Sequence, residues 1–126
     1  MNGVQIFLIL EALIWIPYGI YCLFAPEVLA EGATVTATSA TGVTELRAMY
    51  GGLQFAIGVG CLWGVVSEDL RPSAVWMLFL LTSGIGTARL IGAGMDGGIG
   101  VYTSLALAFE FATAAWAGRL LLQEPD

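Results

Sequence analysis

Four apolar stretches run along the chain, and short polar or helix-breaking segments separate them. The stretches cover residues 4–24, 45–66, 73–95 and 100–122. Each is close to the ~20 residues that an α-helix needs to cross the hydrocarbon core of a bilayer. The segments between them contain proline, glycine and acidic residues. The pattern predicts a single all-α domain, a four-helix transmembrane bundle with up-down-up-down topology.

The composition agrees with a location in the lipid bilayer. Hydrophobic residues make up 58% of the 126 residues and charged residues only 11%, whereas a soluble domain has about 25% charged residues. A soluble fold of this size buries only about two-thirds of its surface, which is too little to hide so many apolar side chains. The net charge of −6 and the absence of a basic patch exclude nucleic acid as a partner.

The arginines predict the orientation of the bundle. An even number of crossings puts both termini and the 67–72 loop on one side, together with Arg71 and Arg119. The opposite loops, 25–43 and 96–99, contain no lysine or arginine. Since positively charged loops stay inside, both termini are predicted to be cytoplasmic.

Small residues recur at four-residue spacing on the second and third helices. The pairs are Gly60 with Gly64, and Gly84 with Ala88 and Gly92. Lipid provides no hydrophobic force between helices, so they associate through close backbone approach at small residues. This spacing predicts that the second and third helices are tightly apposed.

A set of polar residues interrupts the outer halves of helices two, three and four. Its members are Glu45, Arg47, Tyr50, Gln54, Arg89, Asp96 and Glu110. Arg47, Tyr50 and Gln54 have the i, i+3, i+7 spacing of one helical face. A charged residue at the centre of a membrane helix costs roughly 2.5–3.5 kcal/mol, so such residues normally face the interior and pair. We therefore expect one polar cluster in the outer half of the bundle.

Two interpretations of this cluster stay open at this point. Arg89 cannot lose its proton and must find an anion or water, while Glu110 either pairs with an arginine or is neutral. The cluster is either a structural network that fixes the helix register or a binding site for a polar head group. Glu11, in the inner half of helix one, is predicted to lie apart from the cluster, and its role is open.

Three sequence segments resemble a known family. "ELRAMYGGLQFAIG" (45–58), "GTARLIGAGMDG" (86–97) and "ALAFEF" (106–111) are similar to small bacterial four-helix membrane proteins that are grouped as a domain of unknown function. This family lies in the wider neighbourhood of DoxX-like proteins. The resemblance implies a bacterial inner-membrane location and a shared polar core. The positions that match the family pattern are Glu45, Arg47, Tyr50, Gly51, Gly52, Arg89, Gly92, Asp96, Gly97 and Glu110. It implies no particular activity, substrate or cofactor.

The residue types present narrow the possible functions. The chain has no histidine and only two separated cysteines, so we predict no metal site, no cofactor and no catalytic residues, although carboxylates alone can hold a hard cation. An accessory or structural subunit, docked on a larger membrane complex or on copies of itself, is favoured over an enzyme. The alternative is a membrane-embedded pocket, or an enzyme, for a quinone- or lipid-like small molecule.

Overall fold

The computed structural model of the chain describes residues 1–123, which form five helices. They are α1 (Gly3–Phe24), α2 (Val28–Gly32), α3 (Ala40–Val66), α4 (Arg71–Asp96) and α5 (Val101–Leu122). No strand occurs within this described range. Four of the helices, α1, α3, α4 and α5, are long and apolar enough to cross a membrane. The all-α prediction with four membrane-spanning helices is confirmed.

The helix bounds follow the apolar stretches closely, with one larger difference. The helix α3 begins at Ala40, five residues before the predicted start at residue 45. The Ser39 side chain explains this early start, because it accepts a hydrogen bond of 3.1 Å from the backbone N–H of Gly42. Serine is among the preferred residues at this capping position. The predicted 25–42 loop also contains the five-residue helix α2.

The chain divides into two compact units, Met1–Arg71 and the part from Pro72 onward. In the first unit, α1 and α3 pack against each other in antiparallel directions. A Cβ atom built on Gly51 would lie 2.7 Å from the Cα of Leu23, and one built on Gly58 would lie 2.9 Å from the backbone nitrogen of Ile16. Only residues without a side chain allow backbones to approach this closely. These glycines therefore set the spacing between the two helices.

Polar groups at the helix ends complete the first unit. Asn2 and Gln5 form a capping box at the start of α1. At the end of α3, Arg71 donates from Nε to the Gly64 carbonyl at 3.0 Å and from Nη2 to the Val65 carbonyl at 3.2 Å. The last carbonyls of a helix have no partner within the helix. The Arg71 side chain supplies donors to them, and its charge is favourable at a helix C-terminus.

A close approach of the second and third helices through Gly84 and Gly92 stays a prediction, because the two helices lie in different compact units. Within the described residues of the second unit, a Cβ atom built on either glycine meets no other atom within 4 Å. The glycine contacts of the first unit instead join α1 to α3. Small residues permit close approach but do not select a partner helix, because the same four-residue spacing is frequent in membrane helices generally.

In the second unit, α4 and α5 are antiparallel neighbours. A Cβ atom built on Gly86 would lie 3.3 Å from the Cβ of Glu110, and one built on Gly118 would lie 3.2 Å from the Phe79 ring. The helix α4 ends at Asp96, and the next residue, Gly97, has a φ of +68°, the left-handed conformation that glycine adopts readily after a helix. Its N–H donates to the Ala93 carbonyl at 3.0 Å. This ending leaves only a short turn before α5.

Candidate polar site

The strongest polar contact described in the second unit joins Arg89 on α4 to Glu110 on α5. Arg89 Nη2 lies 2.7 Å from Glu110 Oε1, and Arg89 Nε lies 3.1 Å and 3.0 Å from the two carboxylate oxygens. Two guanidinium nitrogens therefore donate to one carboxylate, which is the strong and geometrically specific form of an ion pair. The Glu110 side chain is 6% exposed and that of Arg89 is 28% exposed.

Two neighbours hold this ion pair in place. The Arg89 guanidinium carbon lies 5.8 Å from the centre of the Tyr102 ring, within the range of a cation–π interaction. Gly86, one turn before Arg89, lies opposite the base of the Glu110 side chain. Because Gly86 has no side chain, α5 can approach α4 closely enough for the short contact between the two charges.

Arg47, in the first unit, contacts a different kind of acceptor. Its Nη1 donates to the backbone carbonyl of Leu23, in the last turn of α1. The last four carbonyls of a helix, to which the Leu23 carbonyl belongs, have no N–H donor within the helix. Arg47 thus provides a donor to a partly buried backbone carbonyl and places a positive charge at the negative end of α1.

The segment that carries Arg47 is a π-helical turn within α3. It covers Arg47–Gly52, between the α-helical parts Ala40–Leu46 and Leu53–Val66. The N–H of Leu53 donates to the carbonyl of Ala48, five residues earlier, instead of four as in an α-helix. Such turns are rare and occur frequently at functional sites.

The π turn changes the prediction that Arg47, Tyr50 and Gln54 share one helical face. That prediction assumed a regular α-helix of 3.6 residues per turn. An extra residue in the turn rotates the preceding part of α3 by about 100° relative to the following part. The assumption of an uninterrupted helix is therefore wrong. The adjacent glycines Gly51 and Gly52 were the signal available in the sequence, because paired glycines are unfavourable inside a regular helix.

The remaining predicted residues have less defined surroundings. Glu45 is exposed in the first part of α3, and Tyr50 and Gln54 are half-buried. Asp96 is exposed at the last position of α4. The predicted residues thus fall into two groups, one in each compact unit. That Arg47, Arg89, Asp96 and Glu110 form one network stays a prediction.

Glu11 forms a buried polar contact of its own on α1. The side chain is 5% exposed, and its Oε2 accepts a hydrogen bond of 2.9 Å from the indole Nε1 of Trp15. The two residues are one helical turn apart, so their side chains lie on the same face. Trp15, in the middle of the α1 sequence, is itself buried. Within residues 1–123, no three side chains of His, Cys, Asp or Glu are grouped as a metal site would require.

Comparison with known families identifies the chain. A family profile described as a domain of unknown function, DUF4345, matches residues 3–121. The chain belongs to this family. Neither the curated proteins nor the solved structures contain a significant match to the chain. The predicted membership of a membrane-protein family without an assigned function is confirmed, and the polar residues at 45–54, 89–96 and 110 lie within the matched range.

Proposed function

We propose that this DUF4345 protein is a non-catalytic accessory subunit of a larger membrane assembly, and that its charged residues hold pairs of helices together. The observation that carries the proposal is the complete pairing of its buried polar atoms. Among residues 1–123, every buried side-chain nitrogen and oxygen has a hydrogen-bond partner. A site prepared for a polar ligand would leave some of these groups without a protein partner.

The arginines support this interpretation individually. Arg47 donates to a carbonyl of α1, Arg71 donates to two carbonyls of α3, and Arg89 grips Glu110. Each partner lies on another part of the same compact unit. Each of these contacts directs a guanidinium at a carbonyl or carboxylate of the protein, and a ligand that displaced one of them would leave that acceptor unsatisfied.

The outer surfaces of the helices supply the other half of the proposal. Large apolar side chains are exposed on all four long helices, among them Leu13, Leu62, Leu80 and Leu105. In a bilayer these surfaces face lipid or the helices of a partner. Docking on a larger complex is our proposal, and assembly from copies of the same chain is the competing arrangement.

The proposed location and orientation rest on the arginines and the family resemblance. We propose a bacterial inner membrane with both termini in the cytoplasm, because four crossings would put Arg71 and Arg119 on one side and the loops predicted on the other side lack positive charge. The positive-inside rule supports this orientation.

The competing function is a pocket for a quinone- or lipid-like molecule, and one experiment separates the two. The protein is extracted from its native membrane into lipid nanodiscs, and organic extracts of wild type and the double variant Arg89→Met, Glu110→Gln are compared by mass spectrometry. We expect no small molecule in stoichiometric amount with wild type, and we expect the double variant to fold. Arg119→Gln, which changes an exposed arginine, is the matched control. A stoichiometric amphipathic molecule that the double variant loses and Arg119→Gln keeps would overturn the proposal.

A further inference from the structure

The first part of α3 has little tertiary support. None of the seven residues of Ala40–Leu46 is buried. Ser39 caps the segment at its start, and the Thr44 hydroxyl donates to the Ala40 carbonyl within it. The later part of the same helix, Leu53–Val66, has four buried residues, Ile57, Gly58, Cys61 and Gly64. The segment Ala40–Leu46 is therefore less tightly packed than the later part of α3, to which the π turn connects it.

The π turn itself is held firmly on one side. Gly51 packs with backbone contact against Leu23, and the carbonyl of Gly51 approaches Gly19 equally closely. Arg47, at the first position of the turn, donates to the Leu23 carbonyl. The end of α1 thus contacts the turn at Gly51 through close backbone packing and at Arg47 through a side-chain hydrogen bond.

Gly52, the last residue of the π turn, is a glycine that packing does not require. Its backbone has ordinary helical angles, with φ −59° and ψ −48°, and a Cβ atom built there meets no atom closer than 4.0 Å. A side chain at this position would fit, so packing does not require glycine here. What glycine adds is conformational freedom of the backbone, directly beside the widened turn.

We propose that Ala40–Leu46 is a hinged lid that opens about the π turn Arg47–Gly52 and that the Arg47–Leu23 contact is its latch. Opening breaks the contact between Arg47 and the Leu23 carbonyl and leaves the α-helical part Leu53–Val66 in place against α1. The lid is a local unit of low stability within an otherwise packed helix, as is typical of segments that move.

Hydrogen exchange of the full chain in lipid nanodiscs tests the lid. The variant Arg47→Gln should speed amide exchange in residues 40–46 by about ten-fold, because a charge-assisted hydrogen bond is lost, and should leave residues 53–66 unchanged. Arg47→Lys, which keeps the charge and a donor, should lie near wild type. Arg71→Gln is the matched control, since it removes a similar contact at the other end of α3 and should leave residues 40–46 unchanged.

A second variant keeps the test decisive if Arg47→Gln does not fold. Gly52→Ala should slow exchange in residues 40–46 by about five-fold, because alanine restricts the opened backbone. The proposal is overturned if Gly52→Ala has no effect on this segment. It is also overturned if Arg47→Gln changes residues 40–46 and 53–66 by the same factor, since the two parts would then open as one helix.

Discussion

The ion pair between Arg89 and Glu110 makes the sharpest prediction about stability. Removing one partner of a buried ion pair typically costs about 3–5 kcal/mol, because the other charge is left uncompensated. The two partners differ in exposure, since the Glu110 side chain is 6% exposed and that of Arg89 is 28% exposed. Glu110→Gln leaves an arginine that can partly reach water, so we expect a loss near 3 kcal/mol.

Arg89→Met should cost more, about 4 kcal/mol, because the carboxylate that it leaves behind is almost fully enclosed. The double variant removes both charges, and replacement of an entire buried pair is often close to neutral. We therefore expect the double variant to be less destabilised than the sum of the single variants by at least about 2 kcal/mol.

The assay is reversible unfolding in mixed micelles, followed by the fluorescence of the four tryptophans. The free energy of unfolding is measured for wild type, both single variants and the double variant. Agreement between the double variant and the sum of the singles within ~0.5 kcal/mol would refute the coupling, since independent sites add to that precision. Equal losses for the two single variants would refute the argument from exposure alone.

Two further predictions use the same unfolding assay. Gly58→Ala should lower the free energy of unfolding by about 1–3 kcal/mol, because the new methyl group would overlap with α1. Gly92→Ala should raise the free energy of unfolding by no more than about 1 kcal/mol, because open space surrounds Gly92 and alanine favours the helix. Trp15→Phe should lower the free energy of unfolding by about 1–3 kcal/mol, because the buried Glu11 carboxyl loses the indole donor. The control Trp63→Phe changes an exposed side chain, so its free energy of unfolding should stay within ~0.5 kcal/mol of wild type.

The four long helices could be predicted because a property of each segment alone decides them. An apolar run of about 20 residues is sufficient to indicate a membrane helix, and three of the four predicted runs differ from the observed helices by at most two residues at either end. The exception is the start of α3. Its first turns are polar, which is typical of a loop. The capping residue Ser39 lies among several other serine and threonine residues, so the sequence does not single it out as the helix start.

Contacts between helices were less predictable, because sequence spacing does not say which helices meet. The cost of an unpaired charge in lipid predicted that Arg89 needs an anion, and Glu110 is the acceptor that the structure provides. The same argument could not predict that Arg47 uses a backbone carbonyl of α1. That choice depends on the π turn, which rotates the start of α3. The paired glycines Gly51 and Gly52 indicate an irregular helix there, but they do not indicate which acceptor Arg47 reaches.

The arginines raise a last question, whether they set the orientation of the protein or only stabilise its helices. Arg71 caps α3 through two carbonyls, whereas Arg119 is exposed in the last turn of α5. Arg71→Gln should therefore lower stability by about 1–3 kcal/mol but leave the orientation unchanged, since Arg119 still outweighs loops that lack positive charge.

Replacing both Arg71 and Arg119 by glutamine removes this bias, so we expect molecules in both orientations. Cysteine tags at Asn2 and in the loop near residue 36, read with a membrane-impermeant reagent in intact cells, report the side of each segment, because Cys22 and Cys61 are buried. In wild type only the loop tag should react. A double variant that still shows a single orientation would mean that packing of the helices, and not the arginine count, decides which side the termini occupy.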